Sequence, residues 1–175
     1  MNLRKQLIKL ARDNPGEIRD KVLPVLKISA SFPDLSDVWV TPEIEEIERA
    51  WAGGIADFGD PRAAMAIRRV RDYPRYQKSL EQQLRKKLGG SFVMYRATPR
   101  DEYEDLLDGF GIGYKGFTTV LRVAKSWSQF AAHSTPEGLV VIKAIVRPDF
   151  VIMRGKASEA ELVVNTSDLD GATLV

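Results

Sequence analysis

Ser158-Glu159-Ala160-Glu161-Leu162-Val163-Val164 places two carboxylates two residues apart at the mouth of an apolar run. A strand repeats its side-chain direction every second residue, so a strand through this stretch turns Glu159 and Glu161 to one face. Like charges that close repel, and a purely structural strand gains nothing from them. A site that must handle positive charge and a proton gains a great deal. Strand signals surround the pair. Leu139-Val140-Val141-Ile142-Lys143-Ala144-Ile145-Val146 is the strongest, and residues 151–153, 162–165 and 173–175 are shorter ones.

Outward from these, residues 89–175 read as β-rich with small helices. Phe92-Val93-Met94-Tyr95 is a short buried strand. Thr98-Pro99-Arg100-Asp101 caps a helix to about Leu107, residues 117–120 form a strand, and residues 122–132 a helix. Residues 1–88 read as helices: 3–12 and 17–26, interrupted at Asn14-Pro15-Gly16, with loop from 27 to 41. Thr41-Pro42-Glu43, Asp60-Pro61 and Pro74 open further helices, and Gly53-Gly54 and Gly89-Gly90 stop two of them. The expected class is α+β, with a helical portion over residues 1–88 and a core over residues 89–175 in one compact unit.

At 175 residues the chain can bury a sizeable core. It has no cysteine, which excludes disulfides, thiol catalysis and cysteine-based zinc sites. A single histidine, His133, excludes a histidine-rich metal site and weakens any Ser-His-Asp arrangement. No apolar run reaches membrane-spanning length, and the basic, amphipathic N-terminus lacks the apolar stretch of a signal peptide, so a cytoplasmic location is expected. The net charge of +2 says little about partners. Residues 62–87 nevertheless gather Arg62, Arg68, Arg69, Arg71, Arg75, Lys78, Arg85, Lys86 and Lys87 around Tyr73 and Tyr76. Such a stretch is either a solvated helical face or a surface for nucleic acid or an acidic partner.

Three segments stand in a meaningful order: Val93-Met94-Tyr95-Arg96, then Gly116-Phe117-Thr118-Thr119, then Glu159-Ala160-Glu161. In this order the chain resembles the ADP-ribosyltransferase superfamily, in the arginine–serine–glutamate branch of binary toxins and arginine-specific mono-ADP-ribosyltransferases. The resemblance covers roughly residues 90–167. Glu159-Ala160-Glu161 before an apolar run is its most specific part. Thr118-Thr119 departs from the family's Ser-Thr-Ser, since Val120 takes the third place.

The resemblance implies a split-sheet core and a glycosyltransferase reaction, with NAD as substrate, nicotinamide as product and no metal. By that resemblance Glu161 stabilises the ribose cation, and Glu159 orients or deprotonates the nucleophile. Two close acids raise the pKa of one of them, which suits a base near neutrality. Thr118, or else Thr119, orients Glu161. Arg96, beside Tyr95, grips a phosphate or ribose oxygen. Tyr114 and Phe117 pack against nicotinamide. A glutamate rather than a glutamine at 159 implies arginine on an acceptor protein. Residues 154–158 correspond to the family's target-recognition loop and carry no aromatic residue.

Plainer readings stand beside these. In these, Glu159 and Glu161 are edge-strand charges that block aggregation, Arg96 is a surface ion-pair partner, and Thr119 is a simple β-former. Trp127 and Phe130 read as core, His133 as a helix-end residue, and the glycines at 109, 111 and 113 as a turn. The leader from Leu3 to Pro15 resembles N-terminal segments of some phage-encoded proteins. It implies a phage-derived source, such as a toxin-like effector. Alternatively the chain is a phage structural or interaction protein that keeps the fold without turnover, or a nucleic-acid-binding module using its basic helices.

Overall fold

The computed structural model describes residues 32–55, 61–108, 113–131, 138–169 and 172–175. The readings for residues 3–12, 17–26, 27–31 and 109–112, and for Asp60 and His133, lie outside them, as does the side chain of Phe130.

The protein is α+β. Helices α1 (Pro42–Ala50), α2 (Pro61–Arg71) and α3 (Pro74–Leu88) precede the sheet. Each begins at the proline marked in the sequence, because proline's fixed φ suits the first turn and its missing N–H is no loss there. Thr41 caps α1, its Oγ1 accepting from the Ile44 N–H at 3.3 Å. Beyond Ala50 the chain does not run on as a plain helix to Gly53-Gly54. It widens into a π-helical turn over Trp51–Ile55, with Trp51 buried. Along α3, Tyr76, Leu80 and Leu84 form a fully buried stripe at helical spacing.

Strands β1 (Phe92–Pro99), β2 (Tyr114–Thr118), β3 (Leu139–Val146), β4 (Val151–Arg154), β5 (Glu161–Asn165) and β6 (Ala172–Leu174) form one sheet in the order β4-β5-β2-β1-β3-β6. All its pairings are antiparallel. Helix α4 (Arg100–Leu107) follows β1, and α5 (Leu121–Ala131) follows β2. β3 keeps the expected bounds, because its alternation is clean: Ile142, Ala144 and Val146 are buried, whereas Lys143 and Ile145 are exposed. β2 begins at Tyr114 rather than 117 and stops at Thr118. Thr98 does not cap α4. Pro99 holds that position, and the Thr98 hydroxyl is buried without a hydrogen bond.

The sheet is parted near its middle. β4-β5-β2 and β1-β3-β6 each pair along several residues, whereas β1 and β2 share the single register pair Tyr95 opposite Thr118. One hydrophobic cluster joins the helical part to both halves. It runs from Leu35, Ile44 and Trp51 through Tyr76, Leu80 and Leu84 to Met94, Phe117, Ile142 and Leu162.

A polar junction reinforces the joint. Arg154 at the end of β4 grips Glu48 of α1 through Nε at 2.8 Å and Nη2 at 2.6 Å, and its Nη1 donates to the Leu35 carbonyl at 3.1 Å. The Tyr76 hydroxyl donates to Glu48 at 2.5 Å and accepts from the Arg154 N–H at 3.2 Å. Burial, together with Glu48, pushes the Tyr76 hydroxyl well above its ordinary pKa. The turn between β4 and β5 thus starts from a fixed post. No helix among the described residues is long and apolar enough to cross a membrane.

Candidate active site

The parted seam borders a cavity of about 260 Å³. Tyr95, Arg96 and Ala97 of β1 line it, with Gly116, Phe117 and Thr118 of β2 and Val123, Ala124 and Trp127 of α5. Leu139, Glu159 and Glu161 complete the wall. Residues far apart in sequence therefore meet because two half-sheets diverge where β1 leaves β2.

Glu161 opens β5, directly across from Thr118. Its seat is built from backbone. Oε2 accepts from the Lys156 N–H at 2.7 Å. Its own N–H donates to the Lys156 carbonyl at 3.2 Å, and its carbonyl accepts from the Gly155 N–H at 2.9 Å. Two glycines make the room. A Cβ at Gly116 would stand 1.7 Å from Oε1, and one at Gly155 would stand 2.3 Å from Oε2. Burial raises the Glu161 pKa above its ordinary value, and the nearby Glu159 charge adds to this. The Lys156 N–H, the Trp51 indole and the Arg96 charge act the other way without cancelling it. The buried Trp51 N–H completes no hydrogen bond of good geometry.

Glu159 is not on the strand. It ends the 3-10 turn Ala157–Glu159, and Ala160 follows in the left-handed region at φ 52° and ψ 42°. That single residue breaks the two-residue alternation, so the two acids reach one cavity without sharing a strand face. Among the described residues Ala160 is the one non-glycine with positive φ, a conformation that disfavours a Cβ. Strain of this kind clusters at functional sites. Both oxygens of Glu159 are engaged. Oε2 accepts from the Trp127 Nε1–H at 3.1 Å, and Oε1 pairs with the Lys156 ammonium. The main cause of the raised Glu161 pKa is burial, and the neighbouring acid adds to it.

The remaining candidates separate into two groups. Tyr95, Arg96, Phe117 and Thr118 line the cavity; Tyr114 and Thr119 do not. Tyr114 lies under the Arg71 guanidinium, 5.1 Å from its ring centroid. Thr119 lies just past the end of β2, its hydroxyl buried without a partner. The Thr118 hydroxyl accepts from the Val120 N–H at 3.1 Å rather than donating to Glu161. The orienting bond expected of it comes instead from the Lys156 backbone. Arg96 stitches the seam: Nη1 donates to the Gly116 carbonyl at 2.9 Å, and Nε pairs with the buried Glu102 of α4 at 3.3 Å. Lys115 approaches the same Glu102 oxygen at 3.6 Å, and burial lowers the Lys115 pKa.

Sequence reading missed Trp127, which is 43% exposed at the cavity rather than in the core. Its spacing from Val123 on α5 carried the signal, since both then share a helix face. Gly116 left no signal of its own, because the strand was expected to begin at 117; only with β2 starting at Tyr114 does it become a glycine inside a strand, which marks a close approach. Lys156 and Trp51 left no pattern. In the basic stretch, Arg75 stacks on Trp39 at 4.4 Å and Arg85 pairs with Glu81 at 3.0 Å, while Arg68, Arg69, Lys78, Lys86 and Lys87 are exposed. Among the described residues no cluster of three or more His, Cys, Asp or Glu is suited to a metal ion.

Comparisons with protein-family models, with curated proteins and with solved structures gave no match. The geometry nevertheless limits what the cavity can do. One carboxylate is partly buried and held by a backbone N–H. A second sits in a turn, held by a lysine and an indole.

Proposed function

We propose that the chain is an NAD-dependent mono-ADP-ribosyltransferase with a split-sheet core, which transfers ADP-ribose to arginine on an acceptor protein and releases nicotinamide. The observation that carries this reading is the convergence of Arg96, Thr118, Glu159 and Glu161 on one cavity at the parted seam. A fixed carboxylate in a partly dry site stabilises a developing cation because no solvent reorganisation is needed when the charge appears. Glu161 fits that role: it is held in place and screened from water.

The cavity, at about 260 Å³, lies just below the size of ordinary ligand sites, ~300–1,000 Å³. It suits the nicotinamide-ribose part of NAD, with the remainder lying beyond it. In the reaction the bond between ribose C1′ and the nicotinamide nitrogen breaks, and its electron pair leaves with nicotinamide. A guanidino nitrogen bonds to C1′ and gives its proton to Glu159. Tyr95, Phe117 and Trp127 supply the aromatic lining. Arg96 brings positive charge to the wall, and its link to Glu102 orients the guanidinium. Hydrolysis is the variant in which water replaces the guanidino group.

Isotope-labelled NAD tests the reading. Incubation with an arginine-rich polypeptide or a cell lysate should label a macromolecule, and Glu161→Gln should abolish both labelling and nicotinamide release. Absence of both from the wild type across many lysates would leave an interaction protein. Nucleic-acid binding that weakens steeply with salt and ignores Glu161→Gln would shift the reading to the basic helices.

A further inference from the structure

The side chain of Lys156 sits in an unusual place. Its ammonium pairs with Glu159 Oε1 and lies 5.9 Å from the centroid of the Trp127 ring, while the Trp127 N–H holds Glu159 Oε2. A carboxylate, an indole face and a cation thus form one unit at the edge of the cavity. Both Trp127 and Glu159 line that cavity, whereas Lys156 does not. The lysine reaches in from the turn and is itself 43% exposed.

We infer that Lys156 occupies, in the resting protein, the seat of the acceptor's cation, and that an incoming guanidinium exchanges with it. This inference rests on the transferase reading. Three observations point to exchange rather than a permanent brace. An ion pair with so exposed a lysine contributes little and is readily given up. The structural work of Lys156 is done by its backbone, whose N–H and carbonyl hold Glu161, so the side chain can leave without disturbing the seat. The surroundings also suit a guanidinium better than an ammonium. A planar fork can give a carboxylate two parallel donors while lying flat on the indole, whereas the ammonium offers a point charge to the carboxylate and stands 5.9 Å from the ring centroid. Lys156 is thus an internal competitor that keeps Glu159 occupied until an arginine arrives. It raises the affinity any cation must have to reach the base, and the preference for guanidinium comes from Glu159 and Trp127.

The test uses the full chain and needs no NAD. The Trp127 indole N–H resonance, assigned with Trp127→Phe, is followed during titration with Nα-acetylarginine amide and, separately, Nα-acetyllysine amide. Wild type should bind the arginine compound more tightly than the lysine compound. Lys156→Met should bind the arginine compound about two- to fivefold more tightly than wild type, the range set by the worth of an exposed ion pair. Lys156→Arg should not gain, because it keeps a competing cation, and Glu159→Gln should lose the response. Equal binding by wild type and Lys156→Met overturns the inference, as does a response that survives Glu159→Gln. A parallel assay of nicotinamide release separates the two levels. Release without any gain in Lys156→Met sinks the competitor and spares the transferase reading. A gain without release in any lysate leaves a cation seat and overturns its assignment to an acceptor.

Discussion

Replacing Gly116 by alanine probes the seat of Glu161 directly. The new Cβ would lie 1.7 Å from Oε1, 2.7 Å from Cδ and 3.1 Å from Cγ of Glu161. Ordinary contact begins at 3.4 Å, so Oε1 must retreat by roughly 1.7 Å, the difference between the two distances. Gly155 stands close against the same carboxylate at Oε2, so a small slide will not suffice. The side chain must swing, and the 2.7 Å bond from the Lys156 N–H is lost. A hydrogen bond to a charged group is worth ~1.5–3 kcal/mol, and an off-rotamer side chain costs ~0.5–1.5 kcal/mol. Regained hydration of the carboxylate offsets part of this, as does the ~0.4–1 kcal/mol that alanine gains over glycine through the unfolded chain. The net is a loss of about 1–3 kcal/mol, or a fall in Tm of about 3–10 °C. On the proposed transferase reading, turnover of NAD should fall ~10²–10³-fold, the usual effect of removing a preorganised electrostatic group. Thermal unfolding of Gly116→Ala, Glu161→Ala and the double variant is the decisive assay. In the Glu161→Ala background the struck atoms are gone, so Gly116→Ala should then cost less than about 0.5 kcal/mol. An equal cost in both backgrounds would refute the idea that this glycine exists to admit the carboxylate.

Further expectations concern the groups around that seat. Burial raises the Glu161 pKa, so the native state holds this proton more tightly than the unfolded chain does. Its contribution to stability is present below the ordinary carboxyl range and is lost as pH rises through the native pKa. Denaturant curves from about pH 3.5 to pH 8 should therefore show the stability of Glu161→Gln gaining on wild type as pH rises; a constant gap would contradict the burial effect. Arg154→Ala leaves the mostly buried Glu48 without its paired cation, at a cost on the order of 3–5 kcal/mol read from urea midpoints. Glu102→Gln removes the shared partner of Arg96 and Lys115. It should destabilise by a similar order and, by loosening Arg96, alter the KM for NAD more than kcat.

What could be read from the sequence was what local chemistry fixes. Pro42, Pro61 and Pro74 begin helices because proline is suited to that position, and β3 follows its own alternation from Leu139 to Val146. Glu161 was singled out by its place before the apolar Leu162, Val163 and Val164; Arg96 was expected at the end of a strand over 92–95, whereas β1 runs on to Pro99 and Arg96 lies inside it. Errors arose wherever a distant contact decides. The left-handed Ala160 takes Glu159 off the strand, which period counting cannot foresee. Thr118 was expected to orient Glu161; its hydroxyl accepts from the Val120 N–H, and the donor found on Glu161 is the Lys156 N–H, a backbone group that every non-proline residue carries. Trp127 read as core because a large aromatic on a helix usually is; its exposure depends on where the two half-sheets part.

Holding Glu161 explains why the helical portion belongs to the site rather than merely preceding it. A buried carboxylate is unfavourable by itself, since burial penalises its charged form. The sheet alone supplies one strong donor to it, the Lys156 N–H. That donor lies in a turn between β4 and β5, and a turn holds position only as well as its ends are held. Its β4 end is Arg154, clamped to Glu48 of α1 and to Tyr76 of α3. Trp51, in the π-helical turn that follows α1, adds its dipole to the same carboxylate. The helices thus hold the seat through its entrance strand, and the indole nearby favours the charged carboxylate.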